Sequence, residues 1–83
     1  MQQQQTFGQV LRAEIRAEMG RQDINQTELA RRLGWQGSML SRRLAGKIQL
    51  SIFEVEQIAA ALEVPVTQFG WSPALRPKAQ RAS

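Results

Sequence analysis

Eighty-three residues suit one small helical core and no second domain, and the absence of cysteine and histidine excludes disulfide staples, thiolate chemistry and the usual zinc sites. Tyrosine is absent too, the carboxylates are scattered and no glycine-rich phosphate loop occurs, so the inventory argues against an enzyme; no cofactor, metal or small-molecule substrate is expected. The net charge of +4 is spread unevenly, with −1 over residues 1–30, +5 over 31–47, −3 over 48–70 and +3 over 71–83.

Nothing in the chain approaches a membrane span, and the opening Met-Gln-Gln-Gln-Gln lacks the basic start and apolar run of a signal peptide. A cytoplasmic protein is the expectation. Residues 1–6 read as a flexible, glutamine-rich arm with no apolar spacing. Thr6 and Gln9 then offer a capping box, and Phe7, Val10 or Leu11, Ile15 and Met19 recur at helical spacing. These predict a first helix over about Phe7 to Met19, closed by Gly20, with Arg12, Glu14, Arg16 and Glu18 on a solvated face. Ile24 is the apolar plug of the connection that follows.

Asn25 is a natural N-cap for a second helix, about Gln26 to Leu33, and Glu28 at its third position completes an arrangement like a capping box. Leu29 and Leu33 lie four apart beside Ala30, making a narrow inward stripe that Arg31 and Arg32 avoid. Gly34 supplies a left-handed stop. After Trp35 a third helix runs from about Gly37 or Ser38 to Ala45, stopped by Gly46. Leu40 and Leu44 point to a core, while Ser38, Arg42 and Ala45 centre on the opposite face, with Met39 and Ser41 at its edges and Arg43 on the flank. That outer face is small, polar and basic, as close approach to a DNA major groove requires.

Ser51 and Glu54 cap a fourth helix, about Ile52 to Leu62, that buries Val55, Ile58, Ala59 and Leu62. Glu54, Glu56 and Glu63 mark the side turned away from phosphate. Pro65 begins a last helical turn in which Val66 and Phe69 seal the core. Residues 71–83, WSPALRPKAQRAS, read as a basic, flexible tail in which Trp71 either folds back or lies in a subunit contact.

Three separated blocks occur in one order: Gln-Thr-Glu-Leu-Ala-Arg-Arg-Leu-Gly over 26–34, Ser-x-x-Ser-Arg-x-Leu-x-Gly over 38–46, and Ile-Ala-x-Ala-Leu-x-Val-Pro over 58–65. Together they resemble the Cro/repressor-type helix-turn-helix family, the lambdoid phage repressor-like or XRE domains. The resemblance implies an all-α, compact five-helix domain over residues 7–70, with helices two and three forming the helix-turn-helix. It also implies a transcriptional regulator, a phage or bacterial repressor that binds double-stranded operator DNA as a homodimer. The alternative within the same fold is an antitoxin-like protein-interaction module.

Carried over by position, the family's base-reading sites fall at Gln36, Gly37, Ser38, Ser41 and Arg42, and its phosphate-binding sites at Asn25, Gln26, Arg43 and Lys47. Two departures stand out. Gly37 replaces a longer polar residue, which shifts recognition onto Gln36 and Arg42. Met19 and Leu44 stand where many members pair an Arg with a Glu, so the third helix is expected to be held by packing alone.

Overall fold

The computed structural model describes residues 6–70; residues 1–5 of the arm expected over 1–6 and the tail with Trp71 lie outside the described residues. The described residues form four α-helices, α1 (Phe7–Gln22), α2 (Gln26–Leu33), α3 (Gly37–Leu44) and α4 (Ile52–Leu62). The expected fifth helix is a single 3-10 turn, Val66–Phe69. No strand occurs among the described residues.

Each boundary has a local cause. Thr6 and Gln9 exchange the two hydrogen bonds of a capping box at the start of α1, and Ser51 and Glu54 do the same for α4. Asn25 caps α2 by accepting the Glu28 N–H at 2.9 Å. Glu28 does not reach back to complete a capping box; its carboxylate is taken by Arg31 and Arg32 instead.

The stop at Gly20 is corrected: α1 runs through it to Gln22 and ends at Asp23, which adopts φ 57°. The Asp23 N–H bonds the Gly20 carbonyl, and the Ile24 N–H bonds that of Met19. Ile24 packs on the core. An αL conformation is unfavourable for a non-glycine residue by about 1–2 kcal/mol, and these two hydrogen bonds with the Ile24 contact offset it at the later position. Gly34, at φ 74°, ends α2 as expected.

Twelve apolar side chains from all five elements make the core, with Ile15, Leu29, Leu40, Leu44, Ile58, Leu62 and Phe69 sealed within it. α2 packs against both α3 and α4, and the 3-10 turn closes against α1 and α4. Phe69 closes the far end of that core, as its spacing after Pro65 suggested.

Glu18, expected on the solvated face, is instead buried. Its carboxylate accepts from Arg21 Nε at 2.9 Å, Gln22 Nε2 at 2.8 Å and Gln68 Nε2 at 3.3 Å, and Gln22 also donates to the Leu62 carbonyl at 2.7 Å. No buried polar side-chain atom among the described residues is left without a partner, so this network ties α1 to the end of α4 and to the 3-10 turn at little desolvation cost. Because α3 sits over the core through Leu40 and Leu44, Leu44→Ala is expected to lower unfolding free energy by about 2–5 kcal/mol, while Ser41→Ala on the exposed face shifts it by no more than about 0.5 kcal/mol. Urea unfolding of both variants checks the phase of α3.

Candidate nucleic-acid interface

The turn between α2 and α3 brings the two elements of the site together. Gly34 reverses the chain, the Trp35 N–H bonds the Ala30 carbonyl at 3.0 Å, and Gln36 starts α3 in extended backbone. Gln36 makes no side-chain capping bond, so its amide is left to face outward. Gly37, Ser38, Ser41 and Arg42 follow on one exposed surface. A Cβ at Gly37 would meet nothing within 4 Å and its φ is ordinary, so the fold does not demand glycine there. Asn25 and Gln26 are exposed at the start of α2, and Lys47 is exposed beyond α3. The Gln26 and Thr27 N–H groups of α2 and the Gly37 and Ser38 N–H groups of α3 lack intrahelical acceptors and lie at the positive end of each helix dipole.

Arg43, which the resemblance assigns to phosphate, is partly buried and paired within the chain. Its side chain is only 16% exposed, and its Nε donates to Glu54 Oε1 at 3.1 Å. Nη1 donates to the Met39 carbonyl at 3.1 Å, and the guanidinium carbon lies 5.9 Å from the centre of the Trp35 ring. Glu54 Oε1 also accepts the Ser51 N–H at 3.0 Å. One carboxylate oxygen thus caps α4 and fastens α3 to it.

A further correction follows for the manner in which α3 is held. Met19 and Leu44 do form part of the apolar core, but packing is joined by the Arg43–Glu54 pair and by Arg16, whose Nη2 donates to the Leu44 carbonyl at the end of α3. That cation meets the negative end of the α3 dipole. Gly46 follows at φ 83°, and a Cβ there would come within 2.9 Å of the Arg12 guanidinium, so α1 also closes over the exit from α3.

The +5 segment therefore presents fewer available cations than its sequence suggests. Arg31 and Arg32 grip Glu28 at 2.7 and 2.9 Å, and Arg43 grips Glu54. Arg42 and Lys47 remain exposed without an ion pair among the described residues. Arg42 projects from the middle of the outward face and Lys47 lies just past its end.

The carboxylates respond to these partners. Hydrogen bonds from Arg31 and then Arg32 hold Glu28 at about 2. Gln22 and then Arg21 hold Glu18 below the usual carboxylate range. For Glu54, partial burial works against the charge but is outweighed by the Ser51 backbone N–H and by Arg43, leaving it lowered as well.

A family model for helix-turn-helix domains matches residues 15–69. Searches of curated proteins and of solved structures found no match. Among the described residues no helix is long and apolar enough to cross a membrane, and no cluster of acidic side chains is arranged to hold a metal.

Two outcomes test this electrostatic frame. Carboxyls lowered in the folded state stabilise it fully above their unfolded value near 4.5 and lose that contribution as pH falls from there towards about 2. Urea midpoints should accordingly fall between pH 5 and pH 2.5, and Glu28→Gln should flatten part of that decline; a profile unchanged by the substitution would contradict the assignment. A double-mutant cycle on Arg43→Gln and Glu54→Gln should give a coupling of about 1–3 kcal/mol, and additivity would show the pair contributes nothing. With the turn, the outward face of α3 and the matched span in place, the chain belongs to the Cro/repressor-type helix-turn-helix family and is a DNA-binding domain of that type.

Proposed function

We propose that this protein binds operator DNA sequence-specifically, as a homodimer, and regulates transcription as a phage- or bacterial-type repressor in the cytoplasm. The observation that carries the reading is the outward face of α3, where Arg42 is exposed and unpaired among the described residues while Arg43, the next residue, is anchored inside. A helix fixed by its inner cation and free at its outer one can enter a groove without breaking an internal ion pair.

In this reading α3 lies in the major groove. Arg42 reads a guanine through two hydrogen bonds to O6 and N7, a pairing that discriminates against a wrong base by about 1–3 kcal/mol. Gln36, Ser38 and Ser41 contact neighbouring base edges, and Gly37 lets the backbone come close because no side chain intervenes. Asn25 and Gln26 bring the start of α2 to a phosphate, where N–H groups and the dipole favour an anion. Lys47 holds a second phosphate. Arg43 takes no direct part and orients α3 through Glu54 and Trp35.

Recovery of a preferred site from a random pool of duplexes supplies the cognate DNA. On it, Arg42→Ala should lose about 1–3 kcal/mol and relax preference at one base pair per half-site, whereas Lys47→Ala should weaken cognate and random duplexes by similar factors. Equal losses on both DNAs for Arg42→Ala would make it a backbone anchor instead. Arg42 and Lys47 of two protomers place about four cations on the duplex, so affinity should fall at least about 10²-fold between 50 and 200 mM salt. A flat salt titration would contradict DNA binding through this face.

A further inference from the structure

An open cleft of about 710 Å³ lies where the first two turns of α1, the exit from α3 and the start of α4 come together. Its walls are largely apolar, with Leu11, Leu50, Ile52 and Val55 among them. Leu11 and Val55 belong to the core, whereas Ile52 remains 39% exposed. One charged side chain enters this lining, that of Arg12, and no carboxylate does. The guanidinium is seated between two glycines. A Cβ on Gly8 would come within 3.2 Å of its Nη1, and one on Gly46 within 2.9 Å of its Cζ and Nη2. Glycine is a poor helix former, and at position 8 of α1 what it leaves is room for this group. The other two arginines of α1 are occupied, Arg16 by the Leu44 carbonyl and Arg21 by Glu18. Arg12 is partly buried, yet it has neither an ion pair nor a side-chain hydrogen bond among the described residues.

We propose that this cleft is a binding site for a small amphipathic carboxylate, whose anionic group takes the Arg12 fork and whose apolar body lies along Leu50, Ile52 and Val55. Charge, size and the rest of the chain select that occupant. A guanidinium matches a carboxylate through two parallel hydrogen bonds, which are stronger beside apolar walls than in open water. The volume lies within the roughly 300–1,000 Å³ of small-molecule sites, which are mostly apolar with a few placed polar groups. Neither segment outside the described residues answers the charge: residues 1–5 and 71–83 contain no acidic side chain, and the latter carry +3. A second copy of this surface would bring a second Arg12 against the first. Gly46, which walls the guanidinium, donates its N–H to the Arg43 carbonyl in the last turn of α3, so the ligand lies beside the end of that helix.

The proposal goes beyond operator binding, and its test needs no DNA. Titration of the full chain with sodium octanoate at neutral pH, followed by methyl NMR, should shift the resonances of Leu11, Leu50, Ile52 and Val55 saturably, with a dissociation constant of about millimolar order. 1-Octanol keeps the chain and drops the charge, and should bind about tenfold more weakly. Shortening the acid should weaken it by about two- to fourfold per methylene. Arg12→Gln should lower octanoate to the level of octanol and leave octanol unchanged, while Ile52→Ser, at an exposed position, should weaken both. The comparison of probes on the unaltered chain decides even if Arg12→Gln fails to fold. Octanol binding as tightly as octanoate would overturn the site. So would inorganic phosphate that shifts the Arg12 Nε–H as strongly as octanoate, because an anion held without an apolar body is a backbone-phosphate contact. Movement of the same methyl resonances on Trp71→Ser, before any acid is added, would give the cleft to the chain's own tail and overturn it as well.

Discussion

A single carboxylate oxygen sets the orientation of α3. Glu54 Oε1 accepts both the Ser51 N–H that begins α4 and the Arg43 Nε that projects from α3. The two helices are thereby fixed to each other through one atom, at a site where both side chains are more than four-fifths covered. Charge-assisted hydrogen bonds of this kind are short and directional, so the rotation of α3 about its axis is restrained as well as its position. Trp35 under the guanidinium carries the restraint back to the turn that leads into α3.

Once that rotation is fixed, the assignment of faces follows. Leu40 and Leu44 point to the core, and Arg42, about 100° further round from Ser41 on a helical wheel, points out. Adjacent arginines consequently sit in opposite settings: Arg43 holds the helix through Glu54, and Arg42 is exposed. α1 reinforces the arrangement from the other end, where Arg16 reaches the Leu44 carbonyl. The acidic side chains near the face are consumed locally. Glu28 is neutralised by two arginines of its own helix, while Lys47 is exposed and has no ion pair among the described residues.

Much of this architecture was legible in the sequence because it depends on local rules. Capping residues at Thr6, Asn25 and Ser51, a left-handed glycine at Gly34 and leucine spacing in α2 and α3 each act within one turn of chain. The misjudged features were those decided at long range. The end of α1 was set by Ile24 finding the core, which overrode the glycine at position 20. Glu18 looked like a solvated residue from helical phase alone, and Gln68, fifty positions away, helped bury it. Gln22 four residues beyond Glu18 was the available hint. The partnership of Arg43 with Glu54 was likewise hidden, since Glu54 already had a sufficient reading as a capping-box residue. Gln36, Ser38, Ser41 and Arg42, which the resemblance assigns to base reading, are all exposed; which of them meets a base is a property of the complex.

In the proposed function Arg43 is an internal fastener and Arg42 the outward reader. Nitrogen-detected NMR of the arginine Nε–H groups, in the free protein and with a duplex recovered from a random pool, tests it most directly. Arg43 Nε–H should be protected from exchange before DNA is added and keep its shift afterwards, while Arg42 Nε–H should exchange rapidly in the free protein and become protected only in the complex. Protection that passes from Glu54 to the duplex at Arg43, with Arg42 unchanged, would contradict the account.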